Sequence, residues 1–159
     1  MNTLIFAYYV YMAVNLFTDL KFLKTKNFMH LLMLGAILIY SIFVSNNILV
    51  VVNTCLLSLV LGLLLTTVKG VSIGSGDLKM LVITSMFFQT YFVNGNPFLI
   101  AIVVYTFYFI ISFLHLSVFR WFGRKKREFS LFTYTYKDGK LQVPDTLPII
   151  LTSLLIWTI

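Results

Sequence analysis

The chain alternates long uncharged runs with short charged stretches. Met1 to Thr18, Phe28 to Val68, Met80 to Phe119 and Thr146 to Ile159 carry no Asp, Glu, Lys or Arg. A helix crosses the hydrocarbon core with ~20 apolar residues, and the second and third runs are about twice that length. Each is therefore expected to fold as a helical hairpin. A polar break divides each of them, Ser45-Asn46-Asn47 in one and Asn94-Gly95-Asn96-Pro97 in the other. The pattern predicts an all-α polytopic membrane protein, a single membrane-embedded domain over 1–159. Its six transmembrane helices are expected over 1–18, 28–45, 48–68, 78–93, 97–119 and 144–159. The fourth and sixth are short, which bilayer thinning or snorkelling of flanking side chains accommodates.

Composition agrees with this. The chain is 60% hydrophobic and 11% charged, with mean hydropathy +0.96, values that exclude an ordinary soluble domain. The first run has no basic residues ahead of it, and Asp19-Leu20-Lys21 is no small-residue cleavage site. It is expected to be a retained span rather than a signal peptide. The single Cys55 lies inside span three and is expected to pack. His30 and His115 lie near the ends of spans two and five, where packing or interfacial roles are expected. No metal site and no cofactor are expected.

Charge sets the orientation. All twelve Lys and Arg residues fall after span one, between spans three and four, or between spans five and six. The excess of positive charge in cytoplasmic loops then puts those three loops inside and both termini outside. Asp19, Asp77, Glu128, Asp138 and Asp145, all five acids, fall on the same side. The net charge of +7 is expected to meet anionic lipid headgroups near Arg124, Lys125, Lys126 and Arg127 rather than nucleic acid. Residues 120–143 form the one long polar stretch. Phe129 to Tyr136 is aromatic and partly alternating, Asp138-Gly139 is a turn signal, and Leu141-Gln142-Val143 can pair back. A small cytoplasmic β-hairpin is expected, with an edge suited to an extended substrate. The alternative is an amphipathic loop lying on headgroups.

Two of the five acids stand at the edges of apolar runs. Asp19 ends the first, and Asp77 begins the fourth span within Gly74-Ser75-Gly76-Asp77-Leu78-Lys79. An ionisable group at such a place is costly and is a functional candidate. Two neighbouring carboxyls that share one proton can hydrolyse a peptide, because close carboxylates do not both ionise easily. Gly74 and Gly76 are expected to supply backbone conformations closed to other residues. A helix N-terminus favours charge and a C-terminus disfavours a negative one. Asp77 is thus expected to ionise more readily and Asp19 to hold the proton. Asp138 and Asp145 are expected to be dispensable. The plain alternative is that Asp77 caps a helix and Asp19 pairs with Lys21 or Lys24 at the headgroups.

Two motifs give the chain a resemblance. Asp19 to Asn27, DLKFLKTKN, has an acid and an asparagine eight positions apart, and Gly74 to Lys79 reads GxGDxK. In order and position these resemble the type IV prepilin peptidases, a family of GxGD intramembrane aspartyl proteases. The resemblance extends over nearly the whole chain. It implies Asp19 and Asp77 as catalytic residues and Gly74, Gly76, Lys79 and Asn27 as motif-supporting ones. It implies an aspartic endopeptidase of the cell membrane that removes the cytoplasmic leader from a prepilin-like substrate (pilin, pseudopilin or flagellin-type) at the inner face. The family has Ile-Pro-Asn where this chain has Thr25-Lys26-Asn27. Residues 143–148, VPDTLP, loosely resemble the proline-containing segment that leads into the family's last span. The chain resembles the short, peptidase-only kind, so no methyltransferase activity is expected. Two alternatives stand beside this. One is a presenilin-like protease cutting within membrane helices, against which Thr18 rather than Tyr precedes Asp19. The other is a small transporter or inactive assembly factor whose two acids bind a cation or proton. Few polar residues mid-span speak against a transport path.

Overall fold

The computed structural model describes residues 2–22, 26–68, 73–126, 129–131, 134–137 and 140–158. Six helices carry most of the chain: α1 (Asn2–Phe22), α2 (Asn27–Phe43), α3 (Ile48–Thr66), α4 (Ser75–Tyr91), α5 (Pro97–Lys126) and α6 (Thr146–Thr158). Three of them, over Thr3–Phe22, Ile48–Thr66 and Pro97–Phe122, are long and apolar enough to cross a membrane. Leu49, Leu56, Leu64, Phe113 and Leu114 are among many large apolar side chains left exposed. A surface of that kind suits lipid, not water.

The helix boundaries follow local chemistry. Both polar breaks end a helix where they were expected to. Asn46 turns the chain between α2 and α3 with φ of 50°, a left-handed conformation that asparagine tolerates better than most residues. Asn47 then opens α3, its carbonyl accepting from Val50 and Val51 N–H. Pro97 starts α5 where its missing N–H costs nothing. Two helices outrun the expected spans. α1 continues to Phe22, so Asp19 lies inside its last turn rather than beyond it. α5 runs 30 residues to Lys126, about 45 Å at 1.5 Å per residue, and so exceeds a bilayer core of about 30 Å. Arg120 to Lys126 extend it because Arg and Lys are good helix formers once clear of lipid.

α4 is the central helix. Every residue from Met80 to Thr90 is buried, and the helix touches α2, α3, α5 and α6. The Tyr8 ring of α1 stacks on Phe87 at 3.8 Å, and its hydroxyl donates to Thr84 Oγ1 at 3.0 Å. Gln89 Oε1 accepts a hydrogen bond from Thr54 Oγ1 at 2.9 Å, and its Nε2 donates to the carbonyls of Phe92 and Gly95, which ties α3 to the α4–α5 turn. These bonds satisfy polar groups that hydrocarbon would otherwise strand. Gly62 on α3 lets α4 and α5 close in. A Cβ there would collide with Leu78 Cδ1 and the Tyr105 hydroxyl.

The polar stretch after α5 forms a three-stranded antiparallel sheet in sequence order, β1 (Phe129–Leu131), β2 (Tyr134–Lys137) and β3 (Lys140–Gln142). The expected hairpin is present as β2 and β3, with Lys137 opposite Lys140. The run expected as one strand is two, because β1 folds back on β2 with Phe129 opposite Tyr136. The Asp138-Gly139 turn lies outside the described residues, as do Lys24, Arg127 and Thr25. The side chains of Arg124, Lys125 and Lys126 also lie outside them.

Candidate active site

Three elements bring acids to one end of the bundle. α1 supplies Asp19 from its last turn, α4 supplies Asp77 from its first turn, and the residue ahead of α6 supplies Asp145. Asp19 is buried, and Asp77 and Asp145 are partly buried.

Asp19 is held by the start of α6. The Thr146 backbone N–H donates to Asp19 Oδ2 at 3.0 Å, and the Thr146 hydroxyl donates to the same oxygen at 2.7 Å. That hydroxyl also lies 3.8 Å from Met80 Sδ on α4. One buried threonine thus touches all three helices.

Asp77 occupies the third position of α4, and Gly74 is the residue capping that helix. The Asp77 carboxylate turns back to the N–H groups of Gly74 and of Asp77 itself. This is the reciprocal half of a capping box, in which the third residue's side chain satisfies the cap residue's N–H. The reason for Gly74 differs from the one expected. Its φ of −61° and ψ of 148° are open to any residue. What glycine provides is room, because a Cβ at Gly74 would strike Asp77 Oδ2. Gly76 lies within the first turn of the helix and needs no unusual conformation there.

The helix N-terminus was expected to make Asp77 the readily ionised acid. The surroundings oppose it. Burial, then the Asp145 carboxyl, then the Asp19 carboxyl push the Asp77 pKa up to about 7, and the two N–H groups offset only part of this. The acids of α1 and α4, 58 residues apart in sequence, are therefore electrostatic neighbours, counting 77 − 19. Asp145, expected to be dispensable, lies within electrostatic reach of them. Among the described residues no group of His, Cys, Asp and Glu is arranged to hold a metal ion.

The supporting residues frame this cluster. Lys79 Nζ donates to Asn27 Oδ1 at 2.8 Å, joining the two sequence motifs across α4 and α2. Beside that bond a cavity of about 450 Å³ opens between α2, α3 and α4, with Leu34, Cys55, Leu59 and Val82 in its walls. His30 is buried at its edge with Nδ1 2.8 Å from the Tyr11 hydroxyl. On the other side Tyr134 of β2 stacks on Phe119 at 4.3 Å, and its hydroxyl lies 3.1 Å from His115 Nε2. Burial, with the Asp19 and Asp145 carboxyls adding to it, raises the Tyr134 pKa to about 12. The sheet is thereby anchored against α5 and next to the acids.

Asp145 was expected to be dispensable, and Thr146 and Tyr134 were given no role from the sequence. A signal for the first two existed, since Pro144-Asp145-Thr146 also puts an acid at the edge of an apolar run. Nothing in the sequence marks Tyr134 among the aromatic residues around it. Comparison of the chain with family models, with curated proteins and with solved structures finds no match.

Proposed function

We propose that this protein is a membrane aspartic endopeptidase that removes the leader from a prepilin-like precursor. The observation that carries the reading is the approach of Asp19 and Asp77, one of them with its pKa raised to about 7 by burial and by neighbouring carboxyls. Close carboxyls do not both ionise easily, so one member of such a pair keeps a proton, the state acid-dyad hydrolysis needs. The two motifs and the one-sided charge pattern support the same reading.

The proposed chemistry is a water attack. The ionised Asp19 takes a proton from water as its oxygen adds to the scissile carbonyl carbon. The neutral Asp77 gives a hydrogen bond, then its proton, to the carbonyl oxygen. Collapse of the tetrahedral diol breaks the C–N bond: the proton gained by Asp19 leaves with the amine, and the ionised Asp77 takes back a proton from a diol hydroxyl, which restores both acids to their starting states. The products are a free carboxyl on the leader and a free amino terminus on the mature protein. The scissile segment must be extended, since a closed helix shields its carbonyls. An edge strand of the small sheet suits such a segment.

In this reading the six helices all span the cell membrane, with both termini outside and the acids at the cytoplasmic face. The basic residues after α5 meet anionic headgroups there. A basic leader would not be drawn in by basic loops, so recognition rests on the substrate's hydrophobic helix and the acids.

The test is co-expression with a small protein bearing a basic leader and a hydrophobic helix. Its mature form should appear on a gel only when this chain is present. Persistence of the full-length precursor with a panel of such substrates would reject the reading. Gly74→Ala should slow leader removal about 10- to 100-fold with insertion unchanged, because a carboxyl displaced by about 1 Å loses its aim. An initial-rate measurement equal to that of the unaltered protein would show that the room at Gly74 is unimportant.

A further inference from the structure

We propose that Thr146 is the positioning residue that lets Asp19 both take up and release a proton without moving. This rests on the peptidase reading above and adds a role to a residue outside both motifs.

A general base that becomes a general acid needs a neighbour suited to each state. A carboxylate accepts hydrogen bonds only, whereas a protonated carboxyl must also donate one. A hydroxyl is among the few groups that can meet both needs, because it donates and accepts and its hydrogen rotates. Thr146 is placed to do this. Its hydroxyl is 2.7 Å from Asp19 Oδ2, and its own backbone N–H holds the same oxygen at 3.0 Å. Met80 Sδ, 3.8 Å from Thr146 Oγ1, is a second, weaker acceptor. While Asp19 is ionised the hydroxyl donates to Oδ2. Once Asp19 has taken a proton onto Oδ2, the hydroxyl accepts it as a hydrogen bond and turns its own hydrogen to the Met80 sulfur. The backbone N–H keeps its bond in both states. No covalent bond of Thr146 is made or broken, and the carboxyl stays in place.

The site is closed enough for this to matter. Thr146 is fully buried, and Asp19 nearly so. Charged or titratable groups facing Asp19 are Asp77 from α4, Asp145 from the start of α6 and Tyr134 from β2. Two bonds from Thr146, one from its N–H and one from its hydroxyl, fix the position of Asp19 Oδ2 among them. α6 has Pro148 in its first turn, a residue whose fixed φ suits a helix start and stiffens the segment that carries Thr146.

Thr146→Val removes the hydroxyl and keeps both shape and backbone N–H. Thr146→Ser keeps the hydroxyl. Leader removal by the valine variant should fall about 10- to 100-fold in kcat, the range for a lost hydrogen bond to a charged group, with KM within about twofold. The serine variant should stay within about threefold of the unaltered protein. Infrared spectroscopy of the protein in lipid gives a readout without substrate. The protonated Asp19 carbonyl band, identified by its loss in Asp19→Asn, should move to higher frequency in Thr146→Val and stay in place in Thr146→Ser. An unmoved band in the valine variant overturns the proposal, as does a serine variant displaced as far as the valine one. A chain that cuts no leader, yet shows the band shift only in the valine variant, supports the threonine's hold on Asp19 and rejects the peptidase reading alone.

Discussion

Asp19→Ala and Asp77→Ala are each expected to stop leader removal while the protein still inserts. Each change removes one half of a proton-sharing pair, and a general acid or base contributes about 10²- to 10⁴-fold to a rate. The two losses should not add. With either acid gone the other has no partner, so the double variant should be no slower than the worse single one. Asp19→Asn and Asp77→Asn should behave like the alanine variants although they preserve shape. The readout is the ratio of mature to precursor protein on a gel, together with membrane yield. Cleavage that persists in either single variant would remove that residue from the reaction. The structure adds one precaution. Asp19 is anchored to Thr146 and Asp77 caps α4, so the alanine changes also disturb two helix ends. The asparagine variants separate chemistry from that disturbance.

Asp145→Asn is expected to move the alkaline limb of the pH profile to lower pH. The sign follows from the charges around Asp77. Its pKa is pushed up to about 7 by burial, by Asp145 and by Asp19, in that order. Tyr108 of α5 is also within electrostatic reach, and Lys79 follows on α4 itself. Below about pH 7 Asp77 keeps its proton and can donate it; above, it loses the proton and leader removal should decline. Asparagine at position 145 deletes one of the negative charges that hold that proton on. Asp77 then ionises earlier, so at pH 8 the variant should be about three- to tenfold slower than the unaltered protein, and near equal to it at pH 6. A pKa displaced by one unit changes the protonated fraction by up to about tenfold. Rates measured from pH 5 to 9 decide this. An unchanged profile would show that Asp145 does not act on Asp77, and a shift to higher pH would show that it acts in the opposite sense. The first outcome returns Asp145 to the dispensable role expected from the sequence, and the second rejects the sign argued from the charges.

How far the sequence led can be seen in three places. The six helices were legible because charge is expelled from hydrocarbon, so uncharged runs and polar breaks mark helices and turns. The end of α5 was not, since hydropathy stops reporting once a helix leaves lipid, and Arg124 to Lys126 continue the helix on propensity alone. Asp19 and Asp77 were legible as candidates, because a carboxyl beside an apolar run needs a reason to be there. Thr146 was not, because its bond to Asp19 spans 127 positions. A hydrophobic pattern says which side of a membrane a residue occupies and is silent about which neighbour it meets. Gly74 lies between these cases. Its spacing to Asp77 was visible, but its function is to leave space for that side chain, which only the folded geometry reveals.

The placement of α4 has a consequence for how the protein is made. Thr84, Ser85, Gln89 and Thr90 are all buried against other helices, and the partners of Gln89 come from α3 and from the turn that follows α4. Alone in lipid, this segment would present several polar groups to acyl chains, each at a cost of several kcal/mol if left unsatisfied. In the proposed six-span arrangement α4 is therefore a poor passenger during synthesis, and must shelter against α3 until α5 and α6 emerge. A ribosome stalled before α5 would leave an incomplete bundle, a natural target for membrane quality control.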